Sequence, residues 1–178
     1  MKAIILLNGE PYRGKIEDEG AVVYCCDGAF LPDPPPAEIY PSEKNYTDGE
    51  LALMRALQAG ADTIEFYGGG GGREDHFIGN LHLLYAACQK GVHAVMVTNH
   101  ARIFAADGLV ELHGLKGKTV SIVPFGGEVH IMESGGWYYP LPEKFVYGST
   151  LGISNVVASD EAFFRAKGCV LVFVDKEV

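Results

Sequence analysis

The chain has 178 residues, 48% hydrophobic and 21% charged, with a formal net charge of −9. This is an ordinary globular composition, enough for one large domain or two small ones with a real core. The acidic balance argues against nucleic acid binding through a basic surface, and no apolar run is long enough to span a membrane. The N-terminus runs straight into a strand-like segment without a signal-peptide pattern, so the expected setting is the cytoplasm.

The first half alternates strand and helix. Ala3–Leu7 reads as a buried strand ending at Asn8-Gly9, and Ala21–Cys26 as another ending at Asp27-Gly28. A Pro-rich stretch from Leu31 to Pro41 follows and reads as an extended loop, a candidate lid. Thr47-Asp48-Gly49-Glu50 has the form of a capping box. The helix it starts runs to about Ala59, with Leu53, Met54 and Leu57 inward and Gly60 as its stop. Thr63–Tyr67 is the next strand. A second helix spans about Arg73 to Lys90, with Phe77, Leu81, Leu84 and Cys88 on one face and Gly91 as its stop. His93–Thr98 is the following strand. Such alternation predicts a mostly parallel sheet, with Asn8, Asp27, Gly68 and Asn99 along the edge where the strands end. Asp27, Asp48, Arg73 and Asp75 are then expected to converge there.

Between the third strand and the second helix lie five glycines, Gly68 to Gly72, followed by Arg73-Glu74-Asp75-His76. A glycine loop leading into a helix N-terminus suits a phosphate: backbone N–H groups approach without Cβ obstruction, and the helix dipole favours an anion. Arg73 adds a cation, and Asp75 a carboxylate able to hold a metal or orient a hydroxyl. The loop is neither a Walker motif nor a dinucleotide fingerprint, because no Gly-Lys-Ser/Thr follows it and the next strand ends in Val97-Thr98-Asn99. Taken alone the glycines fit a flexible turn equally well; the charged residues behind them favour function. Residues 1–99 hold 7 Lys/Arg and 14 Asp/Glu, against 7 and 9 in residues 100–178. An acid-rich first half suits divalent cations that travel with a nucleotide, although most of the acids simply solvate the surface.

The second half changes period. Arg102–Ala105 and Leu109–Leu112 flank Ala106-Asp107-Gly108; Thr119–Pro124 and Glu128–Met132 flank Phe125-Gly126-Gly127; Ala162–Ala166 and Cys169–Val174 flank Lys167-Gly168. Each reads as a hairpin. The predicted fold is an α/β domain over residues 1–99 with a mostly parallel sheet, then an antiparallel β-sandwich or roll of at least six strands over residues 100–178. Cys25, Cys26, Cys88 and Cys169 have no CxxC spacing and read as buried reduced thiols. The six histidines show no zinc-site spacing.

These motifs, in this order, resemble the thiamine pyrophosphokinase family. Cys26-Asp27-Gly28-Ala29 resembles its Asp-Gly-Gly-Ala element. Glu43 to Glu50 resembles its Lys-Asp-x-Thr-Asp-x-Glu helix start. Gly69 to Asn80 resembles its Gly-Gly-x-Gly-Gly-Arg-x-Asp-His-x-x-x-Asn signature, the most specific of the set. Val120 to Pro124, Gly136 to Leu141 and Gly152 to Asn155 are similar to motifs of its β-domain. The resemblance implies an α/β nucleotide-binding domain and a β-sandwich thiamine-binding domain, assembled as a homodimer with thiamine between subunits. It implies transfer of pyrophosphate from ATP to the hydroxyl of thiamine, with Mg²⁺, giving thiamine diphosphate and AMP. By that resemblance Asp27 and Asp48 are metal ligands, and Asp75, Arg73 and Asp48 are catalytic. Asn8, Asp27, Gly28, Lys44, Thr47, Gly70, Gly71, Gly72, Arg73 and His76 contact the nucleotide. His76 reads equally as a hydrogen bonder at the helix start. Asp75, Ser154, Asn155 and Trp137 contact thiamine. Trp137 has a second and favoured reading, as a core or edge residue of the sandwich.

One departure stands out. The family carries a Gly-Asp-x-Asp-Ser strand between the Asp-Gly-Gly and Thr-Asp elements, and its two aspartates are metal ligands. Asp27 and Thr47 are only 20 positions apart, with no Asp-x-Asp between them. Either the strand is lacking or a segment near Phe30–Leu31 is omitted from the sequence; the intact remainder of the motif set favours omission. A non-catalytic relative that binds thiamine diphosphate or a nucleotide is the alternative function, and a different nucleotide enzyme on the same scaffold a weaker third.

Overall fold

The computed structural model describes residues 1–26, 29 and 46–176. Asp27, Gly28, Lys44 and the Leu31–Pro41 stretch, with the lid reading attached to it, lie outside those residues. The chain divides into two compact units, Met1–Asn99 and His100–Val178.

The first unit contains β1 (Lys2–Leu6), β2 (Val22–Cys25), α1 (Asp48–Gln58), β3 (Thr63–Tyr67), α2 (Glu74–Gln89) and β4 (His93–Val97). Its strands run parallel in the order β2-β1-β3-β4. Ala3, Ile4 and Ile5 of β1 have no exposed surface, as expected of a strand covered on both faces. Thr47 caps α1: its Oγ1 accepts from the Glu50 backbone N–H at 3.2 Å, leaving one fewer orphan donor at that end. Leu53 and Ala56 form the buried stripe of α1. Met54, expected inward, is exposed instead, because one residue turns a helix by 100° and carries the neighbour of Leu53 off the stripe. On α2 the buried residues are Leu81, Leu83, Leu84 and Ala87, while Phe77 and Cys88 are half-buried at the margin of that face.

The second unit is built on two long strands. β5 (Ala101–His113) and β10 (Glu161–Asp175) pair antiparallel over almost their whole length. Two predicted hairpins are thereby corrected: Ala106-Asp107-Gly108 and Lys167-Gly168 lie within continuous strands. They form an irregularity, with a register shift between Ala166 and Val170 and the Gly168 N–H donating to Asp107 Oδ1 at 3.2 Å. The turn-like composition therefore marks a bulge. The third predicted hairpin is also corrected. β6 (Thr119–Pro124) and β7 (Val129–Gly135) both pair with β10, β6 along Val170–Val174 and β7 along Phe163–Lys167. The bulge separates those two stretches, so β10 changes partner where its ladder is interrupted. Short β8 (Lys144–Phe145) and β9 (Asn155–Val156) extend β7 and β6. The core includes Val120, Ile122, Val129, Phe145, Phe164 and Val172. No disulfide joins the four cysteines; Cys26 and Cys169 are buried, whereas Cys25 and Cys88 are only half-buried. No helix among the described residues is long and apolar enough to cross a membrane.

Candidate active site

Parallel strands deliver their C-terminal ends to one edge of the first unit, and the loops leaving that edge are bonded to one another. The Leu7 N–H donates to the Tyr67 carbonyl at 2.8 Å, Gly9 to Gly68 at 2.8 Å and Glu10 to Gly70 at 2.7 Å. Asn99, just beyond β4, closes the third side: its Nδ2 donates to the Pro11 carbonyl at 3.0 Å and its Oδ1 accepts from the Arg13 N–H at 2.9 Å. Asn8, Gly68 and Asn99 thus share the edge expected of them.

The glycine loop is shaped largely by its own chain. Gly68 and Gly71 hold φ of +71° and +70°, a region that costs other L-residues free energy. A Cβ on Gly68 would collide with the Leu7 carbonyl oxygen, one on Gly9 with the Gly68 and Gly70 carbonyls, and one on Gly71 with the Glu10 side chain. A Cβ on Gly70 would press on Thr98, whereas one on Gly72 would meet nothing within 4 Å. Several glycines thus serve close packing of loop on loop, and Gly72 faces open space. Asn80, quoted in the signature without a role, donates from Nδ2 to the Gly69 carbonyl at 2.9 Å and ties the loop to α2.

Arg73 is the N-cap of α2 and makes no side-chain capping bond. Its guanidinium grips Asp75 with two bonds, Nε to Oδ1 at 3.0 Å and a terminal nitrogen to Oδ2 at 2.5 Å. Both side chains are well exposed, 72% and 64%. Asp75 Oδ1 also accepts from the His76 backbone N–H at 3.0 Å. The Arg73 bonds, seconded by that N–H, lower the Asp75 pKa to about 2; the carboxylate in turn raises that of Arg73. Asp75 is therefore a fixed anion at neutral pH and a weak base. Planar bidentate pairing also fixes the guanidinium plane, so Asp75 aims Arg73. His76 is exposed and enters this arrangement through its main chain.

Asp48 lies in the first turn of α1 and is half-buried; Asp27, its proposed partner in metal binding, is outside the described residues. Among the described residues no three His, Cys, Asp or Glu side chains gather to hold a metal. That donor set is thin for a cation held by protein alone. It fits Mg²⁺ carried by a nucleotide, which takes one or two carboxylates besides phosphate and water.

In the second unit Ser154 is exposed and holds φ of +60°, the one positive value among non-glycine residues described. Its N–H donates to Ser121 Oγ at 3.0 Å. An off-region serine held by its surroundings is a frequent mark of a functional loop. Asn155 is buried, and its amide is largely committed to main chain. Oδ1 accepts from the Tyr139 N–H at 3.1 Å and the Val156 N–H at 2.8 Å, and Nδ2 donates to the Tyr139 carbonyl at 2.8 Å. Trp137 is half-buried against the core, 6.2 Å from the Phe164 ring, and its indole N–H donates to the Phe163 carbonyl at 3.0 Å. These contacts support the favoured reading of Trp137 as a packing residue. Sequence reasoning passed over Tyr138 and Tyr139, which are 67% and 59% exposed with rings in edge contact at 4.8 Å.

Comparison with known proteins covers both units. The thiamin pyrophosphokinase catalytic domain matches residues 36–96, and the vitamin B1 binding domain of the same enzyme matches residues 109–170. The thiamine pyrophosphokinase of Bacillus subtilis (strain 168) is 35% identical over 143 residues, 78% of this chain and 66% of that protein; the chain thus spans about two thirds of its length. Among solved structures, thiamine pyrophosphokinase from Bacillus subtilis superposes with a TM-score of 0.83 at 23% identity, covering all of both chains. Thiamin pyrophosphokinase from Candida albicans superposes at 0.78 with 13% identity, over 98% of this chain and 90% of that one. The fold is shared with both, and the two domain matches together cover more than half of the sequence: the chain belongs to the thiamin pyrophosphokinase family.

Proposed function

We propose that this protein is a thiamine pyrophosphokinase. The observation that carries the reading is the Arg73–Asp75 pair at the exit of the glycine loop, in a chain whose two halves match the catalytic and the vitamin-binding domains of one enzyme. In the reaction the hydroxyl oxygen of thiamine bonds to the β-phosphorus of ATP. The bond from that phosphorus to the oxygen bridging it to the α-phosphorus breaks, AMP departs with the electron pair, and the hydroxyl proton is lost. Such a transfer needs positioning and charge neutralisation more than covalent help. Arg73, aimed by Asp75, stabilises charge on the moving phosphoryl oxygens. Gly70, Gly71, Gly72, Asn8 and Thr47 line the nucleotide side; Gly28, Lys44 and Asp27 are assigned to it by the family resemblance alone. Mg²⁺, held by Asp48 and Asp27, supplies further charge neutralisation when bound.

On the vitamin side Ser154 contacts the pyrimidine ring. Asn155 acts there chiefly by holding Tyr139, whose exposed ring replaces Trp137 as the surface for the thiazolium cation. The assembly is a homodimer with thiamine at the subunit interface, residues 1–99 forming the catalytic domain and 100–178 a β-sandwich for thiamine. Support for a partner comes from Tyr138, Tyr139, Val146, Tyr147, Leu151 and Ile153, all more than half exposed on the loops between β7 and β9. Exposed apolar groups in that number usually have a partner surface.

The test is release of AMP from ATP and Mg²⁺, with and without thiamine, together with chromatographic detection of thiamine diphosphate. Thiamine-dependent AMP in equal amount to thiamine diphosphate is expected. AMP release that ignores thiamine, or none at all, sinks the reading.

A further inference from the structure

No helix links β1 to β2, yet the segment after β1 is held at several points. Gly9 and Glu10 bond to the glycine loop, Pro11 and Arg13 bond to Asn99, and Glu10 pairs with Arg13 at 2.9 Å. This tether sets the Tyr12 ring 5.1 Å from that of Tyr67, tilted by 44°. Beside the two rings opens a cleft of about 140 Å³, walled by Leu6, Leu7, Pro11, Tyr12 and Tyr67 with Asn8 at its polar edge.

We propose that this cleft seats the purine base of the nucleotide, with Tyr12 as the ring it packs against and Asn99 as the residue that positions Tyr12. The inference rests on the reading of the protein as an ATP-dependent pyrophosphokinase. Its location is the first argument. In the order β2-β1-β3-β4 the winding reverses between β1 and β3, and open α/β sheets bind ligands outside the strand ends at that reversal. Continuity is the second. Gly9 and Gly68 also line the cleft, and Gly68 begins the loop that leads to Arg73, so a base seated there sends its phosphates along the glycines. Chemistry is the third. None of the described lining residues is charged, which suits a neutral flat ring and leaves the thiazolium cation of thiamine without a counter-charge. The volume is below the roughly 300 Å³ at which sites for drug-sized ligands begin, so it takes a ring system and leaves ribose and phosphates outside. The Asn8 amide both donates and accepts, as reading a base edge requires.

The test uses the full chain and equilibrium titration with AMP, ribose 5-phosphate and inorganic triphosphate. In the unmodified protein AMP is expected to bind more tightly than ribose 5-phosphate. Tyr12→Ala should weaken AMP roughly five- to a hundredfold, the loss of one base–aromatic stack, and leave inorganic triphosphate unchanged. Tyr12→Phe should bind AMP like the unmodified protein, and Asn99→Ala should repeat the base-selective loss. Equal binding of AMP and ribose 5-phosphate by the unmodified protein overturns the proposal without any variant. So does a Tyr12→Ala protein that keeps its AMP affinity, or whose KM rises for thiamine alone. Because AMP binding is read without thiamine, base-selective binding through Tyr12 in a chain that makes no thiamine diphosphate would refute the functional reading and leave the cleft standing.

Discussion

Arg73 and Asp75 are two residues apart and act as one group. Each satisfies the other through two hydrogen bonds, so removing either frees the other to turn. Arg73→Ala is expected to lower kcat about 10²- to 10³-fold, as loss of one transition-state donor does. Asp75→Asn should cost much of the same, and the double variant little more than Arg73→Ala, because residues acting as a unit are not additive. A double-mutant cycle on kcat/KM checks this; independent, multiplying losses would refute it. Arg73→Ala should also let the Asp75 pKa climb from about 2 toward the ordinary value of about 3.9, read by carboxyl NMR titration. The folded value lies below the unfolded one, so ionised Asp75 favours the fold above about pH 4 and that contribution fades as pH falls toward 2.

At the scale of elements, the strand–loop–helix unit β3–glycine loop–α2 carries the proposed site, and its glycines divide by what their missing side chains would meet. Gly72→Ala places a Cβ in open space at φ of +84°, so it should cost only the roughly 1–2 kcal/mol of a left-handed L-residue. Gly68→Ala adds a collision with the Leu7 carbonyl and should cost clearly more, a ranking that urea midpoints test. Equal midpoints would mean the loop is looser than its packing indicates. This division was not legible in the sequence, where all five glycines look alike, because it depends on a loop from 60 residues upstream. What was legible was local: Thr47 as a cap, Thr63–Tyr67 and Thr119–Pro124 as strands to the residue, and the shared edge of Asn8, Gly68 and Asn99. Two of the three hairpins failed because Gly and Asp within a strand signal a turn or a bulge equally, and only the partner strand decides. At Phe125-Gly126-Gly127 the chain does break, but β6 and β7 each pair with β10 rather than with each other. The hydrogen bonds of Trp137 and Asn155 were not legible either, since their partners, Phe163 and Tyr139, lie 26 and 16 positions away.

For the whole molecule, the two sets of proposed site residues belong to different compact units, Arg73 and Asp75 to the first, Ser154 and Tyr139 to the second. Under the proposed dimer, each thiamine site draws one set from each protomer. A two-fold assembly then makes a definite demand. A chain disabled by Arg73→Ala and a chain disabled by Tyr139→Ala each have no complete site alone. In their heterodimer the first supplies an intact second unit and the other an intact first unit, which rebuilds one site of two and spoils its mate twice over. Random reassociation of equal amounts makes about half of the dimers mixed, so about a quarter of the unmodified activity should return. The readout is thiamine diphosphate formed before and after the two inactive proteins are unfolded and refolded together. Recovery near that level places the site across the interface. If activity stays at the level of the separate variants while light scattering shows mixed dimers, each site is built within one chain, and the exposed tyrosines then serve assembly alone.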